Sequence, residues 1–349
     1  MATLPSVVPG AAPQPDGVPW PTKEWDHEVA SDATVSAAEA AFDDPTLETS
    51  NAVIVVHRGK IIYEHYAGAK EHFDRPPEPI LDHTTLTSWS MAKSILHFLV
   101  GILVDEGRLD PAAPAPVAAW AHDERRAITL GDLLAMRDGL HYVEDYVDGE
   151  RSDVIEMLFG SGRPDVAGFT IAKPLAHPPG TFFNYSSGTT NVISKIVADC
   201  VGSGEPYRAF MRERLFDPIG MTSAEPTFDD AGTFIGSSFV HATAQDFARF
   251  GLLYLRGGEW DGRQLVSRAW VDTAQVPLSQ EEESGNYYGW QWWITGDEFG
   301  TYWASGYDGQ MIAISPSLDA VVVRLGRTPA ERYPDLRRWR HEVMSTLAQ

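Results

Sequence analysis

The sequence predicts an α+β fold in which helices flank an antiparallel sheet and a mainly helical lobe is inserted between the strands. Residues 51–68 have the alternating apolar pattern of a β-hairpin near the start of the chain. Residues 115–230 instead place apolar side chains at helical spacing between proline and glycine breaks. Strand-like patterns return in residues 287–326. A sheet that draws strands from both ends of the chain accounts for this order.

These patterns divide the chain into two expected lobes. Residues 1–88 and 233–349 form the mixed lobe that contains the sheet, and residues 89–232 form the helical lobe. The first part of the chain, about 25 residues rich in proline, is expected to form an irregular arm. Because the boundary between two lobes commonly forms a cleft, we expect the functional site at their junction.

Each element has a local cause in the sequence. Residues 57–60 contain a glycine between two apolar runs and form the turn of the hairpin. Residues 95–104 are apolar on every face of a helix, which predicts that this helix is buried and that Gly107 ends it. Residues 243–258 are apolar along one helical face, and residues 335–348 close the chain with another helix.

Composition argues against several classes of function. The formal net charge of −22 disfavours nucleic acid and anionic membranes as partners, because both bind basic surfaces. A single cysteine, Cys200, cannot form an intrachain disulfide. The N-terminus lacks the pattern of a signal peptide, and no stretch reaches the roughly 18 apolar residues of a membrane span. We therefore expect a cytoplasmic protein.

Ser90 and Lys93 open the apolar helix and lie one turn apart on one of its faces. A serine hydroxyl becomes a nucleophile when a base takes its proton, and a lysine can serve as that base when burial lowers its pKa. The helix N-terminus disfavours the ammonium and leaves the Ser90 N–H able to face an oxyanion. The pair therefore favours a serine nucleophile with its base. The alternative is a helix cap followed by a solvent-exposed lysine.

Two later segments could complete such a site. Tyr185 lies on a loop among small polar residues, where its phenol could share a proton with Lys93. Residues 304–306 are small residues in an apparent strand, where glycine often marks the close approach of a ligand to the backbone. The N–H of Tyr307 would then be a second oxyanion donor. The alternatives are a half-buried structural tyrosine and an ordinary bulge.

In this order, the three segments resemble motifs of the serine β-lactamase and penicillin-binding-protein superfamily. They are most similar to those of its class C-type esterases and 6-aminohexanoate-oligomer (nylon oligomer) hydrolases. The segment SWSMAKS contains the Ser-x-x-Lys motif, Tyr185-Ser186-Ser187 stands where many members have Tyr-x-Asn, and Ala304-Ser305-Gly306 stands where β-lactamases have Lys-Thr-Gly. The resemblance covers the chain from residue 51 to near residue 325. It implies a β-lactamase/transpeptidase-like fold.

The resemblance also implies a role for each residue. Ser90 is the acylated nucleophile, Lys93 its general base and Tyr185 a shared acid and base. The N–H groups of Ser90 and Tyr307 form the oxyanion hole. The reaction is a two-step acyl transfer through a covalent acyl-enzyme, and it requires no metal and no organic cofactor.

Departures from the motifs narrow the expected substrates. Ala304 replaces the cationic residue that helps β-lactamases and penicillin-binding proteins to bind a substrate carboxylate, and Ser187 replaces the usual asparagine. Both changes disfavour antibiotics and D-alanyl peptides. Ser187, Ser305 and Gly306 remain candidate substrate-binding residues. Tyr146 is the expected counterpart of a tyrosine that contacts substrate in the nylon-oligomer hydrolases.

An aromatic run precedes the last strands. Tyr287, Tyr288, Trp290, Trp292 and Trp293 alternate as in a strand, and large aromatic residues are most often part of the core. One or two of these rings would be able to line an apolar acyl pocket.

The sequence therefore predicts a serine hydrolase acting on small, largely uncharged carboxylic esters, with linear amides as further substrates. One alternative is an amide hydrolase proper: an aminohexanoate-oligomer hydrolase, a D-amino-acid peptidase or a β-lactamase-like enzyme. A second alternative is a non-catalytic binding protein on the same fold. The expected partner is a small-molecule ester or amide, and the residues do not predict an oligomeric state.

Overall fold

An eight-stranded sheet forms the centre of the computed structural model, which describes residues 4, 10–71, 74, 76–146, 152–282 and 284–348. We label its strands β1 (Thr49–His57), β2 (Lys60–Tyr66), β3 (Ser279–Gln280), β4 (Tyr287–Tyr288), β5 (Trp293–Ile294), β6 (Tyr302–Gly306), β7 (Gln310–Ser315) and β8 (Ala320–Arg327). Their spatial order is β3-β4-β5-β6-β7-β8-β1-β2, and every neighbouring pair is antiparallel. The predicted α+β fold, with strands from both ends of the chain, is confirmed.

Helices cover the sheet and fill the middle of the chain. They are α1 (Asp32–Asp43), α2 (Ala92–Asp105), α3 (Leu130–Leu134), α4 (Asp153–Phe159), α5 (Val166–Ile171), α6 (Ser187–Val201), α7 (Glu205–Met211), α8 (Asp217–Ile219), α9 (Ala244–Leu255), α10 (Arg268–Thr273) and α11 (Tyr333–Leu347). A π-helical turn, Arg212–Phe216, joins α7 to α8. None of these helices, all within the described residues, has both the length and the apolar character to cross a lipid bilayer.

The central strands are buried on both faces of the sheet. Val321 and Val323 of β8 belong to the core shared with α2 and α9, whereas Val322 belongs to the core shared with α1 and α11. Successive side chains of a strand point to opposite faces, so covering both faces requires an unbroken apolar run. The sequence AVVVRLG satisfies that requirement.

A small three-stranded sheet fixes the chain just before Ser90. Leu86–Thr87 pairs with Val240–Ala242, which also pairs with Glu225–Pro226. The Ser88 N–H donates to the Val240 carbonyl at 2.8 Å, and the Ser88 hydroxyl accepts from the Val240 N–H at 3.0 Å. Two further strand pairs are Ala69–Lys70 with Glu78–Pro79, and Glu259–Trp260 with Arg263–Gln264.

The predicted helical lobe contains α3 to α8 together with the buried helix α2. Twelve of the 14 residues of α2 are buried, as expected from its apolar sequence. Within the described part of residues 89–232, the chain adds no strand to the eight-stranded sheet. The boundaries of the two lobes, residues 88 and 232, stay predictions.

Residues 10–25 are irregular and lie along α9. The Ala12 N–H donates to the Leu255 carbonyl at 3.0 Å, and the Ala12 carbonyl accepts from Arg256 at 3.1 Å. The buried Arg249 donates to the Pro21 carbonyl at 2.6 Å. These bonds satisfy backbone groups that an irregular segment cannot pair within itself.

The aromatic run does not form the single alternating strand that its pattern suggests. Strands β4 and β5 pair with each other, and the chain between them turns at Gln291, whose φ is +58°. The Gln291 side chain donates to the Leu134 carbonyl at 3.0 Å and accepts from the Thr190 hydroxyl at 2.9 Å. These long-range bonds override the local pattern. Tyr288 and Trp292 are buried, as expected for core residues.

Candidate active site

Ser90 lies in a single 3₁₀ turn, Trp89–Met91, immediately before α2. Trp89 has a φ of +45°, a left-handed conformation that is unusual for a bulky residue and carries strain. Hydrogen bonds of the preceding residue fix the position of the turn: the Ser88 hydroxyl donates to the Ser238 carbonyl and accepts from the Val240 N–H. Ser90 itself is partly exposed. The turn therefore presents its hydroxyl at a fixed position on the surface of the buried helix.

Lys93 is 2% exposed, and among the described residues three oxygen atoms lie within hydrogen-bonding distance of its Nζ. Its Nζ lies 2.9 Å from Ser90 Oγ, 3.0 Å from Ser187 Oγ and 3.0 Å from the Ser237 carbonyl oxygen. Burial lowers the pKa of Lys93 to about 8, and the negative charge of Glu144 opposes that change. A substantial fraction of this lysine is neutral in mildly alkaline solution.

Tyr185 precedes α6 and reaches the same point. Its ring centroid lies 4.8 Å from Lys93 Nζ, and its phenol lies beside the Ser90 side chain. Burial raises the pKa of the Tyr185 phenol above its usual value, and the charge of Glu144 raises it further. The ring packs against Tyr288 and Trp293 at centroid distances of 5.9 and 5.4 Å. Tyr185 is thus a protonated phenol beside the serine.

Glu144 is a part of this cluster that the sequence analysis missed. Its carboxylate accepts from the Ser187 N–H at 2.8 Å and from the Ser187 hydroxyl at 2.6 Å. It also accepts from the Tyr146 hydroxyl at 2.6 Å. The contact with Ser187 spans 43 residues, so no local spacing indicates it. The one available signal is the position of this carboxylate two residues before Tyr146.

Strand β6 lies directly against the Ser90 turn. A side chain at Gly306 would place a Cβ atom 2.4 Å from the Ser88 carbonyl oxygen, so only glycine permits this approach. Ser305 precedes it with a partly exposed side chain. The Tyr307 ring follows and contacts the rings of Trp89 at 5.5 Å and of Tyr146 at 5.0 Å.

The turn that carries Tyr307 is anchored from inside the sheet. The Gln310 side chain donates to the Tyr307 carbonyl at 2.9 Å. The fully buried Arg324 donates to the carbonyls of Asp308 at 3.1 Å and Gly309 at 3.2 Å. These bonds fix the peptide groups around residue 307, as required of a preorganised donor.

The structure thus brings Ser90, Lys93, Tyr185 and Ser187 into direct contact, and it places Gly306, Tyr307 and Tyr146 around them. The Ser187 hydroxyl is buried and bound by Lys93 and Glu144, so its use for substrate binding stays a prediction. The substrate-binding roles of Ser305, Gly306 and Tyr146 are likewise still predictions.

Comparison with known proteins identifies relatives of the whole arrangement. The Beta-lactamase family model matches residues 40–343 of the chain. The 6-aminohexanoate-dimer hydrolase of Paenarthrobacter ureafaciens is 29% identical over 316 residues, which cover 85% of this chain and 76% of that protein.

Solved structures show the same fold. A Bacillus anthracis protein with a provisional assignment as a 6-aminohexanoate-dimer hydrolase superposes with a TM-score of 0.77 and 21% identity, covering 98% of this chain and 91% of its own. A family VIII carboxylesterase gives a TM-score of 0.68 at 14% identity over 90% of this chain and 99% of its own. The octameric penicillin-binding protein homologue from Pyrococcus abyssi gives a TM-score of 0.67 at 18% identity, and the match covers 90% of this chain and 76% of that protein. The fold expected from the sequence motifs is confirmed.

Proposed function

Because the chain belongs to the Beta-lactamase family and has its hydrolase fold, we propose that it is a serine hydrolase that forms a covalent acyl-enzyme. Its proposed substrates are small, largely uncharged carboxylic esters. The observation that carries the proposal is the 2.9 Å contact between Ser90 Oγ and the buried Nζ of Lys93.

The hydrogen bonds around Lys93 direct its lone pair. The Ser187 hydroxyl gives its only hydrogen to Glu144, so it can only accept from Lys93, and the Ser237 carbonyl is an acceptor as well. A neutral amine has two hydrogens and one lone pair. With both hydrogens committed to Ser187 and Ser237, the lone pair points at the Ser90 hydroxyl. Lys93 is therefore oriented to remove the proton of Ser90.

The proposed reaction then has two balanced steps. Ser90 Oγ attacks the carbonyl carbon of the ester, and its proton goes to Lys93. Tyr185, which lies beside the Ser90 side chain, protonates the leaving alkoxide, and the carbon–oxygen bond of the ester breaks. The phenol regains a proton from Lys93. Water attacks the acyl-enzyme by the same route in reverse, and the N–H groups of Ser90 and Tyr307 stabilise the oxyanion of each step.

The charges around the site favour neutral esters over anionic substrates. Residue 304 is alanine, which supplies no cation for a substrate carboxylate, and Glu144 brings a negative charge beside Ser187. The fold shared with a family VIII carboxylesterase agrees with ester hydrolysis. Amide hydrolysis is the second candidate, favoured by the similarity to a 6-aminohexanoate-dimer hydrolase and by the position of Tyr146 next to Tyr307.

A panel of substrates tests this order. We expect the protein to hydrolyse p-nitrophenyl acyl esters with a higher kcat/KM than the linear 6-aminohexanoate dimer, and to turn over nitrocefin least. A fluorophosphonate probe should add its mass to Ser90. Dominant amide turnover would replace the ester proposal with the amide one, and a protein without turnover or adduct would be a binding protein on this fold.

We expect Glu144→Gln to change the pH dependence of kcat/KM. The parent gains activity as Lys93 loses its proton near its pKa of about 8. Removing the carboxylate removes the charge that raises the pKa of Lys93, so the acid limb moves to lower pH. The amide oxygen can replace only one of the two carboxylate oxygens that accept from the Ser187 N–H and hydroxyl. We therefore expect kcat/KM at its alkaline plateau to fall by about tenfold.

A matched control is Glu124→Gln, which removes the same charge from an exposed side chain in the 3₁₀ turn Glu124–Ala127. This variant should keep the pH profile of the parent. A Glu144→Gln profile with an unmoved acid limb would show that Glu144 does not influence the base.

A further inference from the structure

Five aromatic side chains form a continuous row beside Ser90, which we call the aromatic row. Phe159 contacts Phe239 at a centroid distance of 6.2 Å, and Phe239 contacts Trp89 at 5.6 Å. Trp89 contacts Tyr307 at 5.5 Å, and Tyr307 contacts Tyr146 at 5.0 Å. The members come from five separate places in the chain, so only the fold assembles them.

The row presents apolar surface to solvent. Phe159 is 61% exposed, Tyr146 43% and Tyr307 38%, while Trp89 and Phe239 are partly exposed. Leaving a phenylalanine this exposed forgoes the free energy of burying it. Contiguous exposed apolar surface of this kind commonly marks a binding site.

The two ends of the row differ in chemistry. At one end, the Tyr146 hydroxyl donates to the carboxylate of Glu144. At the other end, Phe239 and Phe159 carry no polar atom on their side chains. Trp89, which directly precedes Ser90, lies between the two ends. An uncharged, apolar group bound near Ser90 therefore finds favourable contacts in the direction of Phe159.

The proposed proton donor to the leaving group lies outside the aromatic row. Tyr185, the proposed proton donor to the leaving group, packs against Tyr288 and Trp293, which are not members of the aromatic row. A leaving group must lie next to its proton donor. The acyl chain of the substrate is then the part that can extend along Trp89, Phe239 and Phe159.

We propose that Trp89, Phe239 and Phe159 form a subsite for the apolar acyl chain of the substrate, so that medium-chain acyl esters are preferred over acetyl esters. This inference rests on the proposed ester hydrolysis at Ser90. It deepens that function by naming a substrate class.

The first test measures kcat/KM for p-nitrophenyl acetate, butyrate, hexanoate and octanoate. The parent should improve with chain length, by up to about fourfold for each methylene that is removed from water. In Phe159→Ala, the octanoate-to-acetate ratio should fall by about tenfold, because the exposed end of the subsite is lost. Phe182→Ala is the matched control, since Phe182 is 47% exposed and stacks on His177 outside the aromatic row. It should keep the ratio of the parent.

A second series keeps the acetyl group and lengthens the alcohol from ethyl to octyl. We expect little dependence on chain length and none on Phe159. If Phe159→Ala instead changes the alcohol series and leaves the acyl series unaltered, the subsite holds the leaving group and the proposal is overturned. If kcat/KM of the parent does not depend on the length of the acyl chain, the proposal is overturned as well.

Binding to Ser90→Ala separates this inference from the proposed function. Calorimetric titration of that variant with methyl acetate and methyl octanoate reports the subsite without turnover. Tighter binding of the octanoate that Phe159→Ala removes supports the subsite even if the parent hydrolyses no ester. Hydrolysis without any such difference in affinity or in kcat/KM supports the function and refutes the subsite.

Discussion

Ser90→Ala is expected to reduce kcat/KM for p-nitrophenyl esters by about 10⁴- to 10⁶-fold. The proposed mechanism forms the acyl-enzyme on the Ser90 oxygen. The Ser187 hydroxyl cannot replace it as the nucleophile activated by Lys93, because Ser187 already donates its hydrogen to Glu144. Ser90 is partly exposed, so its replacement leaves no cavity in the core. Initial rates and the mass of the protein after fluorophosphonate treatment measure the two effects.

The matched control for this change is Ser203→Ala, which removes an exposed hydroxyl from the loop between α6 and α7. It should react with the probe and hydrolyse esters as the parent does. Retention of more than about 1% of the activity by Ser90→Ala would contradict nucleophilic catalysis by this residue, since loss of a covalent nucleophile costs far more.

Lys93→Met is expected to reduce kcat/KM by about 10³-fold or more, because the proposed base is lost and burial keeps the neighbouring Tyr185 phenol protonated. The same change should alter how stability depends on pH. Burial lowers the pKa of Lys93 from 10.5 to about 8, so the unfolded chain binds this proton more tightly than the folded one. Below pH 8 the folded parent carries the cost of a buried ammonium, and that cost disappears as the pH rises from 8 to 10.5.

The methionine variant lacks this titration. Between pH 7 and pH 10.5, the free energy of unfolding of the parent should therefore rise relative to Lys93→Met by about 3 kcal/mol. Urea unfolding of both proteins at several pH values measures the difference. Lys195→Met, which changes a partly exposed lysine on α6, is the control and should show no comparable trend. A constant difference between parent and Lys93→Met would mean that Lys93 has an ordinary pKa.

Sequence patterns were sufficient for the fold and for the proximity of Ser90 and Lys93. Lys93 follows Ser90 by three positions, about one helical turn, so spacing alone places their side chains together. The small residue Gly306 indicates the close approach of β6. The turn at Gln291 was not predictable, because its cause is a pair of bonds to residues more than 100 positions away. The role of Glu144 in the site was not predictable for the same reason, because only the fold brings it next to its partner Ser187.

The pairing of β8 with β1 affects how the chain folds during translation. Ala52 lies opposite Leu325 in the sheet. During translation, β1 therefore remains unpaired with β8 until more than 270 further residues have been synthesised. Non-local pairing of this kind slows folding and leaves a strand edge open to aggregation until the chain is released. Chaperone demand should accordingly be high during translation, and prematurely terminated chains should be insoluble.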